Sequence, residues 1–275
     1  MTAPKRPVLR WHGGKYMLAD WIIAQIPPHR VYVEPFGGAA SVLLRKPRSY
    51  AEVYNDLDSD VVNLFRVLRD PESAARLTAD LRMTPFARAE FELAYVQAEC
   101  PVERARRLII RSFMGFGSNG HAKATGFRAN SNRSGTTPAR DWVNYPDAIP
   151  DMVERLSGVV IEERDALDVM RAHDGAQTLH YVDPPYLPET RDAGGDYTHE
   201  MTVTDHERLL EGLQGLSGMV VLSGYPSPLY DAALDGWERV QRPALADGAR
   251  ARTEVLWINQ AALRARGFLF AEAAV

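Results

Sequence analysis

The sequence predicts an α/β protein: a doubly wound sheet interrupted by a helical, basic insertion. Three observations carry that reading of the 275 residues. Short apolar, strand-like runs alternate with helix-period segments at both ends of the chain, whereas residues 58–156 read as helical. Loops rich in Gly and Pro follow two of the strand-like runs.

The elements follow in order. Leu18, Trp21, Ile22 and Ile26 share one helical face, which Pro27-Pro28 ends. Residues 31–34 read as a strand, 39–44 open a helix, and 52–54 form a second strand ending at Asn55-Asp56, which together make a βαβ unit. Val61, Leu64, Phe65 and Leu68 then share a helix face, and Thr84-Pro85 reads as an N-cap followed by a first-turn proline. Residues 104–113 and 142–156 read as further helices, separated by a long Gly/Ser/Asn/Thr loop over 115–135. Strands return at 159–161, 179–182, 219–222 and 254–258. Thr204-Asp205-His206-Glu207 reads as a capping box ahead of Leu209, Leu210, Leu213 and Leu216. Residues 1–58 and 158–275 are therefore assigned to the sheet domain and 59–157 to the insertion.

Composition narrows the class. A hydrophobic fraction of 45% is ordinary for a globular chain. Residues 1–7 carry Lys5 and Arg6 without an apolar segment, and no stretch approaches the run of about 18 apolar residues that a membrane helix needs, so a cytoplasmic protein is expected. The single Cys100 excludes an intramolecular disulfide or a cysteine zinc cluster, and the seven histidines show no metal spacing, so no metal site is expected. The net charge of −4 hides an asymmetry. Arg104, Arg106, Arg107, Arg111, Lys123, Arg128, Arg133 and Arg140 fall in residues 104–140, which contain no Asp or Glu; removing these eight cations leaves −12 on the rest. A basic segment containing a long loop suits a polyanion, although a solvated surface loop has the same composition.

Two strand ends carry the chemistry. Glu34-Pro35-Phe36-Gly37-Gly38-Ala39-Ala40-Ser41 sets glycines between a strand and a helix, where a ligand approaches the backbone closely. It is neither a GxGxxG fingerprint nor a P-loop. Asp56, about 20 residues on, ends the next strand at the offset from which a carboxylate reaches a ribose. An adenosine-bearing ligand without a pyrophosphate is expected, although Glu34 and Asp56 also suit helix capping. Asp183-Pro184-Pro185-Tyr186 closes a later strand, holding a carboxylate and an aromatic ring on a stiff turn, which suits a flat base with an exocyclic amino group.

These segments resemble the Dam-type (D12) class of DNA adenine-N6 methyltransferases, which includes many phage-borne members. The likeness is carried in order by Leu9-Arg10-Trp11-His12-Gly13-Gly14-Lys15-Tyr16, residues 33–41, residues 54–60 and Asp183-Pro184-Pro185-Tyr186. It continues through Pro188-Glu189-Thr190-Arg191, Tyr197-Thr198-His199-Glu200-Met201, Asp205-His206 and Val221-Leu222-Ser223-Gly224-Tyr225. It is weakest over 70–160.

The resemblance implies a Rossmann-like methyltransferase sheet, mostly parallel with an antiparallel strand near the C-terminus, and S-adenosylmethionine as cofactor. It implies that Trp11 and Lys15 border the cofactor, Glu34, Phe36 and Gly38 form its methionine side, Asp56 accepts from its ribose, and Asp165 lies near its adenine. Ala166 and Ala40 depart from the class, where an aromatic and a glycine are common. Asp183 and the Pro184 carbonyl would accept from N6 of an adenine flipped out of double-stranded DNA, and Tyr186 would stack on it. No covalent intermediate is needed. DNA contacts fall to Arg111, Lys123, Arg128, Asn130, Asn132 and Arg133. A monomer acting in bacterial cytoplasm, as host or phage protein, is expected. The competing readings are methylation of another amino group (RNA adenine, cytosine N4 or protein glutamine) and a catalytically silent DNA-binding protein.

Overall fold

One seven-stranded sheet carries the architecture. Its strands are β1 (Val31–Glu34), β2 (Ala51–Asn55), β3 (Val159–Glu162), β4 (Thr178–Val182), β5 (Met219–Gly224), β6 (Glu238–Ala246) and β7 (Arg250–Ile258), ordered β3-β2-β1-β4-β5-β7-β6. The computed structural model describes residues 4–118, 124–130, 135–191, 198–246 and 250–272. Strands β1 to β5 pair in parallel, while β7 is antiparallel to both β5 and β6. Every residue of β4 and β5 is buried, as expected of parallel strands covered on both faces. Strand order reverses between β1 and β4, so Glu34, Asp56 and Asp183 emerge at the carboxyl edge beside a topological switch point.

Helices α1 (Ala19–Ile23) and α2 (Ser41–Arg45) precede the insertion. Between β2 and β3 lie α3 (Ser59–Arg69), α4 (Pro71–Met83), α5 (Arg88–Leu93), α6 (Pro101–Met114), α7 (Pro138–Val143) and α8 (Ile149–Leu156). Helices α9 (Ala166–Ala172), α10 (Val203–Gln214), α11 (Pro228–Ala233) and α12 (Gln260–Glu272) complete the fold. Leu64, Phe65, Leu108, Phe113 and Tyr145, from the helices between β2 and β3, share one buried cluster with Leu43 and with Tyr54 of β2. A second cluster, centred on Leu210, Val220 and Trp257, fills another face.

A buried ionic clasp fastens the end of the insertion to the sheet. Arg155 of α8 donates to both Glu52 oxygens, at 2.6 and 2.9 Å, and Lys46 Nζ reaches Glu52 Oε1 at 2.6 Å. All three side chains are 5% exposed or less. The fork geometry suits a guanidinium, and a clasp this dry is costly to break from one side, by about 3–5 kcal/mol.

Four local expectations need correction. Residues 142–156 are not one helix: Pro146 opens a short 3-10 turn and Pro150 lies in the first turn of α8, because proline lacks the N–H that a helix interior needs. Thr84 closes α4 instead of starting a helix, and its carbonyl accepts Trp142 Nε1 at 2.8 Å. The capping box of α10 is Thr202 with Asp205, two residues before the expected one. Strand β6 was not anticipated: Pro243 interrupts its pattern, and an edge strand tolerates the missing donor.

Candidate active site

The carboxyl ends of β1, β2 and β4 open into a cavity of about 320 Å³, near the lower end of the range for small-molecule sites. Trp11, Lys15, Glu34, Phe36, Gly38, Asp56, Asp165, Asp183 and Pro184 all line it.

The first loop is shaped by close approach. Gly38 and Ala40 have left-handed φ values of +47° and +52°. A Cβ on Gly38 would lie 2.6 Å from Trp11 Nε1, and one on Gly37 would lie 2.1 Å from the Tyr54 ring. The Gly38 N–H donates to Asp56 Oδ2 at 2.7 Å, and the Gly38 carbonyl accepts the Tyr54 hydroxyl at 2.8 Å. Asp56 also accepts the Asp58 N–H at 2.8 Å, so it ties two loops together beneath the cavity. Burial lifts the Asp56 carboxyl to about 6 despite these donors.

Glu34 sits at the end of β1, where its Oε2 accepts the Tyr32 hydroxyl at 2.6 Å and the Leu43 N–H at 3.0 Å. Burial pushes it up to about 8, more than those donors offset. Asp165 is the N-cap of α9, accepting from Leu167 and Asp168, and pairs with Arg208 of α10 at 3.0 Å. Burial favours its neutral form, but Arg208 and the backbone donors prevail and hold it below the usual range.

At the tetrapeptide, Asp183 Oδ1 accepts the Ser223 hydroxyl at 2.6 Å and pairs with Lys15 Nζ at 3.0 Å. Lys15 is 4% exposed. Burial opposes its charge, yet Asp183 and Glu254 outweigh burial and raise its pKa. Tyr186 is turned inward and does not present an open stacking face. Its hydroxyl donates to Glu254 Oε2 at 2.8 Å, its ring meets Tyr225 edge-on at 4.6 Å between centroids, and Lys15 Nζ lies 4.7 Å from its centroid. A base would stack there only after Lys15 or Tyr225 withdrew.

The acid-free basic segment is partly neutralised from outside its own window. Arg104 and Arg111 pair with Asp60 at 2.7 and 2.9 Å, Arg106 pairs with Glu90 and Glu103, and Arg107 pairs with Glu103. Arg111 thus lies in the α3–α6 junction with a side chain 14% exposed, away from the cavity. Arg128 lies on a strip that turns back on the end of α6: its N–H donates to the Met114 carbonyl, and the Phe116 N–H donates to Gly126. Asn130 continues that strip. Lys123, Asn132 and Arg133 lie outside the described residues.

The site also contains residues that sequence reasoning did not assign. Ser223 belonged to a quoted motif without a role. Glu254 opened a predicted strand with nothing to mark it. Among the described residues no helix is long and apolar enough to cross a membrane, and no group of three or more His, Cys, Asp or Glu is placed to hold a metal ion.

A family model described as D12 class N6 adenine-specific DNA methyltransferase matches residues 11–232. The chain is 26% identical over 217 residues to the DNA adenine methylase of Salmonella typhi, covering 77% of this chain and 76% of that one. It is 25% identical over 230 residues to the DNA adenine methylase of Escherichia coli (strain K12), with the same two coverages. A shorter stretch, 36% identical over 70 residues, aligns with the DNA adenine methylase of Vibrio cholerae and covers 26% of this chain and 25% of that one.

Proposed function

The chain belongs to the D12 class of N6 adenine-specific DNA methyltransferases, and from that premise we propose how its residues divide the work. It methylates adenine in DNA at N6. The methyl donor is S-adenosylmethionine, and the donor set of the cavity supports that fit. Lys15 and Glu34, the latter once it has lost its proton, offer one charge of each sign to a zwitterionic amino-acid end, Asp56 offers an acceptor for ribose hydroxyls, and Trp11 and Phe36 offer apolar surface. Bound there, this donor supplies an electrophilic methyl group on a sulfonium.

Asp183 holds the target amine; the observation that carries this role is its carboxylate on the cavity wall at the switch point, oriented by Ser223. Asp183 and the Pro184 carbonyl accept from the N6 hydrogens and aim the nitrogen lone pair at the methyl. A donor bound there would supply the methyl to that nitrogen, while Asp183 and the Pro184 carbonyl hold the N6 hydrogens through the transfer. Positioning and stabilisation of the charge growing on N6 are the protein's contribution. Because a stacked adenine cannot reach the cavity, the base is extruded from double-stranded DNA, and Tyr186 receives it once Lys15 shifts from the ring. The insertion, residues 59–157, reads the target: Lys123, Arg128, Asn130, Asn132 and Arg133 contact DNA, while Arg111 braces α6 through Asp60. The protein acts as a monomer in bacterial cytoplasm, as a host or phage enzyme.

The test is incubation with labelled S-adenosylmethionine and unmethylated duplex DNA, followed by nucleoside identification. N6-methyladenine is expected from the wild type. Asp183→Ala should abolish it while cofactor binding survives; retained turnover would remove Asp183 from this role.

A further inference from the structure

We propose that Glu254 is a positioning residue for methyl transfer: from antiparallel strand β7 it fixes the Tyr186 ring against which the target adenine is held. The inference rests on the roles given above to Asp183 and Tyr186. It adds a residue from outside the span that the family model matches, which ends at 232.

Glu254 stands where an apolar side chain would serve stability better. The next four residues of β7, Val255, Leu256, Trp257 and Ile258, are 1% exposed or less, and Glu254 itself is only 7% exposed. A carboxylate among such neighbours is costly unless it is hydrogen-bonded. Its Oε2 accepts the Tyr186 hydroxyl at 2.8 Å. A tyrosine anchored only by packing can slide and tilt, but one held at its far end by a bond to a sheet strand keeps its plane. Tyr225 packs against the ring at a steep angle, one residue past the end of β5, which is the strand that pairs with β7. The ring is therefore held at its hydroxyl and braced by Tyr225, and its face becomes usable by a base once Lys15, whose Nζ lies 4.7 Å from its centroid, withdraws. Ser223, on β5, does the corresponding work for Asp183. Strands β5 and β7 thus each hold one of the two tetrapeptide side chains.

Glu254→Ala removes the acceptor, Glu254→Gln restores one through its amide carbonyl, and Tyr186→Phe deletes the same bond from the other end. Single-turnover methylation of duplex DNA by Glu254→Ala should fall about tenfold or more, with cofactor affinity within about twofold of wild type. Glu254→Gln should recover most of that loss. Tyr186→Phe should lose a similar factor, and the double variant Glu254→Ala/Tyr186→Phe should be no slower than the worse single variant, because two ends of one bond are not independent. With 2-aminopurine in place of the target adenine, bound Glu254→Ala should fluoresce more brightly than wild type, since a loosened ring stacks less well. A Gln variant as slow as Ala, rate losses that multiply in the double variant, or fluorescence equal to wild type would each overturn the proposal. Thermal melts identify a variant that fails to fold, in which case Tyr186→Phe and Glu254→Gln carry the test. If Asp183→Ala remains active, the underlying reading fails; if it is dead while Glu254→Ala runs at the wild-type rate, only this inference fails.

Discussion

Replacing Gly38 with alanine imposes two separable costs on the first loop. The backbone cost comes from φ of +47°, which an L side chain adopts at about 1–2 kcal/mol. The contact cost comes from a Cβ placed 2.6 Å from Trp11 Nε1 and 3.0 Å from its Cδ1. Comfortable carbon contacts begin near 3.5 Å, so the indole must retreat by roughly 0.9 Å or the loop must open by as much. The first cost lowers stability; at about 2–4 °C per kcal/mol for a domain of this size class, Tm should fall by about 2–8 °C. The second falls on the cofactor, because the moving wall is Trp11 and the Gly38 N–H also braces Asp56 at 2.7 Å. A displacement approaching 1 Å in a binding wall should weaken S-adenosylmethionine by at least about tenfold, or 1.4 kcal/mol. Isothermal titration calorimetry measures that weakening and differential scanning fluorimetry measures the melt. Cofactor affinity unchanged beside a lowered Tm would refute the link between Gly38, Trp11 and the ligand.

Other outcomes follow from the same geometry. Ala40→Gly should leave Tm within about 3 °C of wild type, since relief of a left-handed alanine at about 1–2 kcal/mol is offset by the entropic cost of glycine at about 0.5–1 kcal/mol and by the loss of a buried methyl at about 0.8 kcal/mol; a larger shift in either direction would refute that balance. Cofactor affinity should climb between pH 6 and 8 by up to about tenfold per unit, because Glu34, held at about 8 by burial, must lose its proton to pair with an ammonium, and Glu34→Gln should flatten the profile. For the protein alone the sign is opposite. Glu34 and Asp56 have raised folded pKa values, so their contribution to stability is full below their ordinary values and is lost as pH rises through about 6 for Asp56 and about 8 for Glu34, which melts across pH 5 to 9 will register. Neutralising Arg128 and Arg133 together should reduce the log–log salt slope of DNA binding by about two, read by fluorescence anisotropy. Arg104→Gln should instead lower Tm and leave that slope in place, because Asp60 already engages Arg104 at 2.7 Å.

The sheet was legible because its central strands are short apolar runs that stop at Asn55-Asp56 or at Asp183-Pro184, and burial on both faces imposes that pattern. Glu34, Gly38, Asp56 and Asp183 were legible for a related reason, because strand ends and glycine loops announce themselves locally, whereas Trp11 and Asp165 were assigned to the same site only through the family resemblance. What escaped notice depended on distant partners. Nothing near Arg104 or Arg111 reveals that Asp60 faces them, and a window starting at 104 leaves out Glu103 by a single residue. Glu254 acquires meaning only because β7 runs antiparallel beside β5 and delivers it to Tyr186. Strand β6 was hidden by its own edge position, which relaxes the apolar alternation that marks an interior strand.

Arg155 stands near the end of α8, where the chain is about to rejoin the sheet at β3. The excursion that starts after β2 returns to the sheet with a fork of hydrogen bonds onto Glu52, itself a residue of β2. Departure and return are thereby stapled to one spot. Excising the helices between them would strand a dry acid inside the sheet with Lys46 as its remaining cation, which makes those helices a poor candidate for removal as a detachable module.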